Sequence, residues 1–103
     1  MNKKSPLKQA YPRLYKVYIG MKNRCNNPNN VAYKNYGGRG ITVCDEWNQK
    51  HGFNSFAKWA LNNGYKDTLT IDRIDVNKGY APGNCRWLSK IDQISSLLNQ
   101  FKR

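Results

Sequence analysis

The sequence predicts a small α+β domain whose helices pack on short antiparallel hairpins. Apolar residues recur at helical spacing in two segments of the first two thirds of the chain and again near its end. Short alternating segments around Ile71 and Trp87 are typical of paired strands, and the stretch between them is rich in turn residues. With 103 residues the chain can bury one modest core, so we expect a flexible basic arm at residues 1–10 and a single domain at residues 11–103.

The first two helices are predicted from their apolar faces. The first should begin at Pro12, a residue that suits a first helical turn, and its apolar face comprises Leu14, Val17, Tyr18, Met21 and Cys25. The second should end at Asn63-Gly64, and its apolar residues are Phe53, Phe56, Ala57, Ala60 and Leu61. Between them, residues 41–44 are predicted as a short strand with Ile41 and Val43 on one face.

The last helix is predicted to begin after Ser89. Ser89 and Asp92 have the spacing of a capping box, in which the two side chains satisfy free backbone N–H groups of the first turn. The apolar residues that follow recur at helical spacing. We therefore expect this helix to bury Ile91, Ile94, Leu98 and Phe101.

The positive charge is concentrated in the N-terminal half. The chain has 18 Lys and Arg against 6 Asp and Glu, and nine of the basic residues precede Asp45, the first acidic residue. Such a distribution is typical of a protein that binds a polyanion, although a solubilising basic surface is the simpler alternative. We predict double-stranded DNA as the partner, with phosphate contacts from Lys16, Lys22, Arg24 and Arg39. No stretch is long and apolar enough to suggest a membrane partner, and no signal peptide is evident, so we expect a cytoplasmic protein.

The segment from Thr70 to Gln93 reads as strand, loop, strand and helix, with polar residues at the joints. With Asp72, Asn84, Trp87 and Ser89 at matching positions, it resembles the ββα-metal motif of the HNH nuclease family. Together with the YGGRGI stretch that begins at Tyr36, it is similar to HNH-like proteins of phages and mobile elements.

The resemblance implies a set of roles for the residues of this segment. Asp72 and Gln93 would hold Mg²⁺ or Mn²⁺, while Asn84 and Trp87 would be structural. The alternative for Asp72 is a loop carboxylate that pairs with Arg73 or Arg86. Gln93 departs from the Asn or His that the family has at its position. Arg73 stands where the family has its catalytic His, and a guanidinium cannot act as a general base, so its expected role is to contact phosphate or to stabilise charge during the reaction. Arg86 is a further candidate for DNA contact.

Three cysteines, Cys25, Cys44 and Cys85, are too few and too far apart for a disulfide framework. They are either buried free thiols or, as the less favoured alternative, ligands of a zinc ion. A structural zinc site normally has ligand pairs separated by two to four residues, and the chain has none. His51, the one histidine, is either an exposed linker residue or a replacement for the missing base.

Three hypotheses about function follow. The first is a double-stranded DNA-binding protein of phage or mobile-element origin built on a degenerate HNH-like motif. The second is an active metal-dependent endonuclease that nicks or cuts DNA and uses an unorthodox base. The third is an inhibitor or adaptor that binds another protein. The identity of Arg73 separates the first two, because hydrolysis would need another base or a metal-bound hydroxide.

Overall fold

The structure is a computed structural model that describes residues 6–101, with side chains described as far as Asn99. In chain order it has helices α1 and α2, a short α3, the longer α4, a hairpin of strands β1 and β2, and the final helix α5. Their bounds are Pro6–Ala10, Pro12–Asn26, Asp45–Asn48, Gly52–Asn62, Thr70–Arg73, Cys85–Leu88 and Lys90–Phe101. The α+β class predicted from the sequence is confirmed.

Helices α2 and α4 form the centre of the core. Leu14, Tyr18, Met21 and Cys25 are buried along α2 with the predicted spacing, and Val17 packs against them half-buried. The predicted face of α4 is buried through Phe53, Phe56, Ala57 and Ala60, whereas Leu61 is exposed. Helix α4 ends as predicted, since Gly64 has a φ of 88°, a conformation that glycine adopts without a steric penalty.

The hairpin closes one side of this core. Strands β1 and β2 are antiparallel, with Ile71 opposite Trp87 and Asp72 opposite Arg86. On β2, Cys85 and Trp87 are buried, while Arg86 and Leu88 are only partly buried, as expected from the alternation of side chains along a strand.

Residues 41–44 do not form the predicted strand. A single parallel bridge joins Val43 to Tyr80, with hydrogen bonds from Cys44 N to Tyr80 O and from Tyr80 N to Thr42 O, both 2.8 Å. Helix α3 begins directly after Cys44, so the extended segment is too short for a ladder. Ile41 and Val43 are nevertheless both buried.

Residues 6–10, which the sequence assigned to a flexible arm, form α1. Leu7 of this helix packs against the core, and the Lys8 ammonium lies 4.7 Å from the centre of the Tyr15 ring. Apolar packing and a cation–π contact therefore hold α1 on α2. The other residues of the predicted arm, 1–5, lie outside the described part of the chain.

The predicted burial of α5 is wrong for the side chains that the structure describes. Ile91, Ile94 and Leu98 are 76%, 53% and 56% exposed, and Phe101 lies beyond the last described side chain. The side of α5 that contacts the hairpin instead carries polar residues. Gln93 Oε1 lies 3.2 Å from the Thr70 hydroxyl, and Ser96 Oγ accepts a 3.1 Å hydrogen bond from Arg86 Nη2. The Ser89 half of the predicted capping box forms, since Ser89 Oγ accepts from Asp92 N at 3.1 Å.

Candidate nucleic-acid interface

A cavity of about 340 Å³ lies between β1, α5 and the tyrosines Tyr36 and Tyr80. Asp72 and Arg73 line it from the end of β1, and Gln93 lines it from α5. The fold thus brings together the three residues for which the resemblance implies a catalytic or metal-binding role. Their meeting depends on the hairpin, which returns the chain so that α5 begins next to β1.

The carboxylate of Asp72 already has a cationic partner. Arg86 Nε lies 2.9 Å from Asp72 Oδ2, from the opposite position on β2, and Arg86 also reaches Ser96 on α5. Arg86, predicted as a DNA contact, therefore links both strands to α5 while its side chain stays 42% exposed. A cation that binds Asp72 would have to compete with this ion pair.

Arg73 organises the loop between the two strands. Its Nη1 donates to the carbonyl oxygens of Val76 at 2.7 Å and of Lys78 at 2.9 Å. Arg39 donates to the same Val76 oxygen through Nη2 at 2.6 Å and to Asn35 O through Nε at 2.9 Å. Two residues predicted to contact DNA phosphates or reacting groups therefore also hold the backbone of this loop.

Asn84 braces the same loop from its other end. Its side-chain amide donates to Asp75 O at 3.1 Å and to Gly79 O at 2.9 Å, and its Oδ1 accepts from Asp75 N at 2.9 Å. This is the structural role predicted for Asn84. Trp87, the other predicted structural residue, is 8% exposed and packs against the rings of Trp59 and Tyr65.

The glycine-rich stretch that contains Arg39 forms two successive 3₁₀ turns, Tyr33–Asn35 and Gly37–Arg39. A side chain at Gly37 would collide with the carbonyl oxygen of Cys25 at the end of α2. Gly40 has a φ of 90°, which other residues adopt only with strain. Both glycines are therefore required to place Arg39 against the loop.

The predicted basic residues of α2 fall in two places. Lys16 and Arg24 line a second cavity of about 300 Å³, which shares Tyr36, Tyr80 and Gln93 with the first. Lys22 lies apart from them, with its ammonium 5.4 Å from the centre of the Tyr18 ring, and lines a different cavity.

His51 lines the same cavity as Lys22, near the start of α4, and does not line the cavity that contains Asp72. The fold therefore offers no support for His51 as a replacement for the base that the family has at the position of Arg73.

The sequence reasoning missed Tyr80. This residue is 4% exposed, forms the bridge to Val43 and accepts a 3.0 Å hydrogen bond from Arg24 Nη2 through its hydroxyl. Burial raises the pKa of its hydroxyl, and the neighbouring Arg24 lowers it in part. No apolar residues at helical or strand spacing flank Tyr80 in the sequence. Only its position after Gly79, next to a turn, could have indicated that it matters.

Cys25 and Cys85 are buried and Cys44 is half-buried, and these surroundings favour the neutral thiol. Burial raises the pKa of Cys25 and of Cys44, and it raises the pKa of Cys85 to about 11. Zinc ligation requires thiolates, which such surroundings disfavour. Within residues 6–101 no three or more His, Cys, Asp or Glu side chains are grouped so that they could hold a metal ion. All three cysteines carry free thiols.

Comparisons with models of known protein families, with curated proteins and with solved structures gave no match to this chain. Over the residues that the structure describes, no helix has the length and apolar character needed to cross a membrane.

Proposed function

We propose that this chain is a cytoplasmic double-stranded DNA-binding protein, related to phage and mobile-element proteins of HNH-like type, that contacts the duplex with the basic side of α2 and the adjacent hairpin. One observation carries the proposal. Lys16 and Arg24 line a cavity that shares its walls with the cavity of Asp72 and Arg73, so positive charge continues from α2 into the strand–loop–strand–helix unit. A continuous basic surface of this kind suits the closely spaced phosphates of a duplex.

The charge balance supports the same proposal. The chain has a formal net charge of +12, and the one ion pair among the described residues joins Arg86 to Asp72. Most of the positive charge is therefore not neutralised by carboxylates of the same chain. Duplex binding would release condensed counterions, which is the main source of affinity for proteins that contact phosphates.

The test is the salt dependence of duplex binding. We expect the logarithm of the association constant to fall linearly with the logarithm of the salt concentration, by about 0.9 for each phosphate contacted. The double variant K16Q/R24Q should have a slope smaller by about 1 to 2, because one or two phosphate contacts would be lost. Fluorescence anisotropy with a labelled duplex at several salt concentrations measures both slopes.

A matched control distinguishes the effect of this particular surface on binding from the effect of the net charge of the protein. The double variant K58Q/K66Q removes the same charge from exposed residues that line neither of the two shared cavities. It should keep the slope of the unmodified protein. Equal losses in both double variants, or binding that is insensitive to salt, would contradict the proposed surface.

A metal-dependent endonuclease is the second candidate, because Asp72 and Gln93 line one cavity. A carboxylate and an amide oxygen could hold Mg²⁺ or Mn²⁺, either of which would supply charge stabilisation at a scissile phosphate. The residues fit this role only partly, since Arg86 already occupies one oxygen of Asp72.

Incubation with supercoiled plasmid and Mg²⁺ or Mn²⁺ tests the second candidate. If the protein is a nuclease, D72N should abolish metal-dependent nicking and leave duplex affinity within about twofold, because Asp72 would hold the ion and not the duplex. D45N, at an exposed position at the start of α3, is the control of equal charge. Nicking at the original rate by D72N would exclude Asp72 from the site.

A further inference from the structure

Two guanidinium groups face the same pair of tyrosine rings. The Cζ atom of Arg24 lies 5.1 Å from the centre of the Tyr36 ring and 5.8 Å from that of Tyr80. The Cζ atom of Arg73 lies 5.1 Å and 5.4 Å from the same two centres. The two rings are nearly parallel, with centres 6.3 Å apart. We refer to Arg24, Arg73, Tyr36 and Tyr80 as the arginine–tyrosine cluster.

The positive charge of this cluster is not balanced by acidic residues. Among the described residues, neither arginine forms an ion pair with a carboxylate, and the nearby carboxylate of Asp72 is engaged by Arg86. Arg39 adds a third guanidinium, because it shares the Val76 carbonyl oxygen with Arg73. Like charges that contact the same groups repel one another, and the tyrosine faces offset part of this repulsion. A bound anion would lower the repulsion further.

The donor groups of the cluster are not all satisfied by the rest of the described chain. Arg24 Nε is buried and lacks a hydrogen-bond partner among the described residues. The Tyr80 hydroxyl accepts from Arg24 and has its own proton to donate in turn. Gly20 leaves room for the Arg24 guanidinium beside α2, since a Cβ atom there would lie 3.3 Å from Nη1.

We propose that Arg24 of the arginine–tyrosine cluster binds a single phosphate group together with Lys16, in the cavity of about 300 Å³ that these two residues line with Tyr36 and Tyr80. A phosphate group offers several acceptor oxygens to planar guanidinium groups, and bidentate contacts of this kind are stronger than contacts between neutral groups. That the phosphate belongs to a nucleic-acid strand rests on the proposed function. The source is either a phosphodiester within a strand or a terminal phosphomonoester.

The experiment measures binding of inorganic phosphate and of two trinucleotides that differ only in a 5′-phosphate, by calorimetry at constant ionic strength in chloride. We expect saturable binding of inorganic phosphate and of at least one trinucleotide. Tighter binding of the phosphorylated trinucleotide identifies a phosphomonoester site, and equal binding identifies a phosphodiester site. R24Q should weaken all of these interactions by about tenfold or more, because a charged donor is lost. K58Q should leave them unchanged.

Two further variants keep the proposal testable if R24Q does not fold. K16Q changes an exposed residue of the same cavity and should weaken phosphate binding severalfold. Y80F keeps the ring of a residue that lines this cavity and removes only its hydroxyl, so it tests the hydroxyl by itself. Absence of saturable phosphate binding, or equal weakening by K16Q and K58Q, would overturn the proposal. Phosphate binding without any affinity for a duplex would instead refute the proposed function and leave the phosphate site intact.

Discussion

Helices α4 and α5 have similar apolar patterns and very different surroundings. In α4, Phe56 is fully buried and its ring meets that of Trp47 edge to face, with centres 5.0 Å apart. In α5, Ile91 and Leu98 belong to the predicted apolar side and are more than half exposed. The comparison shows that an apolar period predicts which side of a helix is apolar, whereas burial requires another element to pack against that side.

The reason for the difference lies in what each helix contacts. Helix α4 packs against α2 and the aromatic residues around it, so its apolar side has a partner. Helix α5 is attached to the outer side of the hairpin, and its half-buried residues Gln93 and Ser96 meet polar groups of β1 and β2. Hydrogen bonds and the Ser89 cap therefore hold α5 in place, whereas apolar packing holds α4.

The largest expected difference between the two helices is in the cost of truncating an apolar side chain. F56A should lower the free energy of unfolding by about 3 to 5 kcal/mol, because it removes a buried ring and leaves a cavity. L98A, on α5, should cost less than about 1 kcal/mol because the side chain is 56% exposed. Urea denaturation of both variants measures these values, and similar losses would contradict the exposed position of α5.

A smaller effect should follow from removal of the α5 cap. S89A removes the side-chain acceptor of the Asp92 N–H group and should cost about 1 kcal/mol. Amide hydrogen exchange should become faster in the first turn of α5 and stay unchanged in α4. S95A changes an exposed serine within α5 and serves as the control. Uniform acceleration in both helices would show that α5 does not open independently of the core.

The smallest effect is expected at Ile91, which is the most exposed large apolar side chain among those described on α5. I91Q should change the free energy of unfolding by no more than about 0.5 kcal/mol, because Ile91 is 76% exposed. A loss of 2 kcal/mol or more in thermal or urea denaturation would mean that this side chain is covered in solution. Repetition of the measurement at several protein concentrations would then reveal whether a second copy provides the cover.

The sequence could predict that three residues of the candidate site lie together, and the reasons are local. Asp72, Arg73 and Gln93 belong to one strand–loop–strand–helix segment, and a hairpin of that length brings its ends together. The structural roles of Asn84 and Trp87 also follow from that segment alone. Tyr80 and the second function of Arg39 could not be predicted in this way, because their contacts join parts of the chain that are far apart in sequence.

By itself the sequence determined the α+β class, the apolar sides of α2 and α4, the turn at Gly64 and the excess of positive charge. These properties depend on residue type and on spacing along one element. Only the tertiary structure decided that α5 exposes its apolar side, that residues 41–44 form one bridge and that two arginines share the rings of Tyr36 and Tyr80. Each of these outcomes depends on which neighbours a side chain meets in space. The spacing of apolar residues within one segment does not indicate those neighbours.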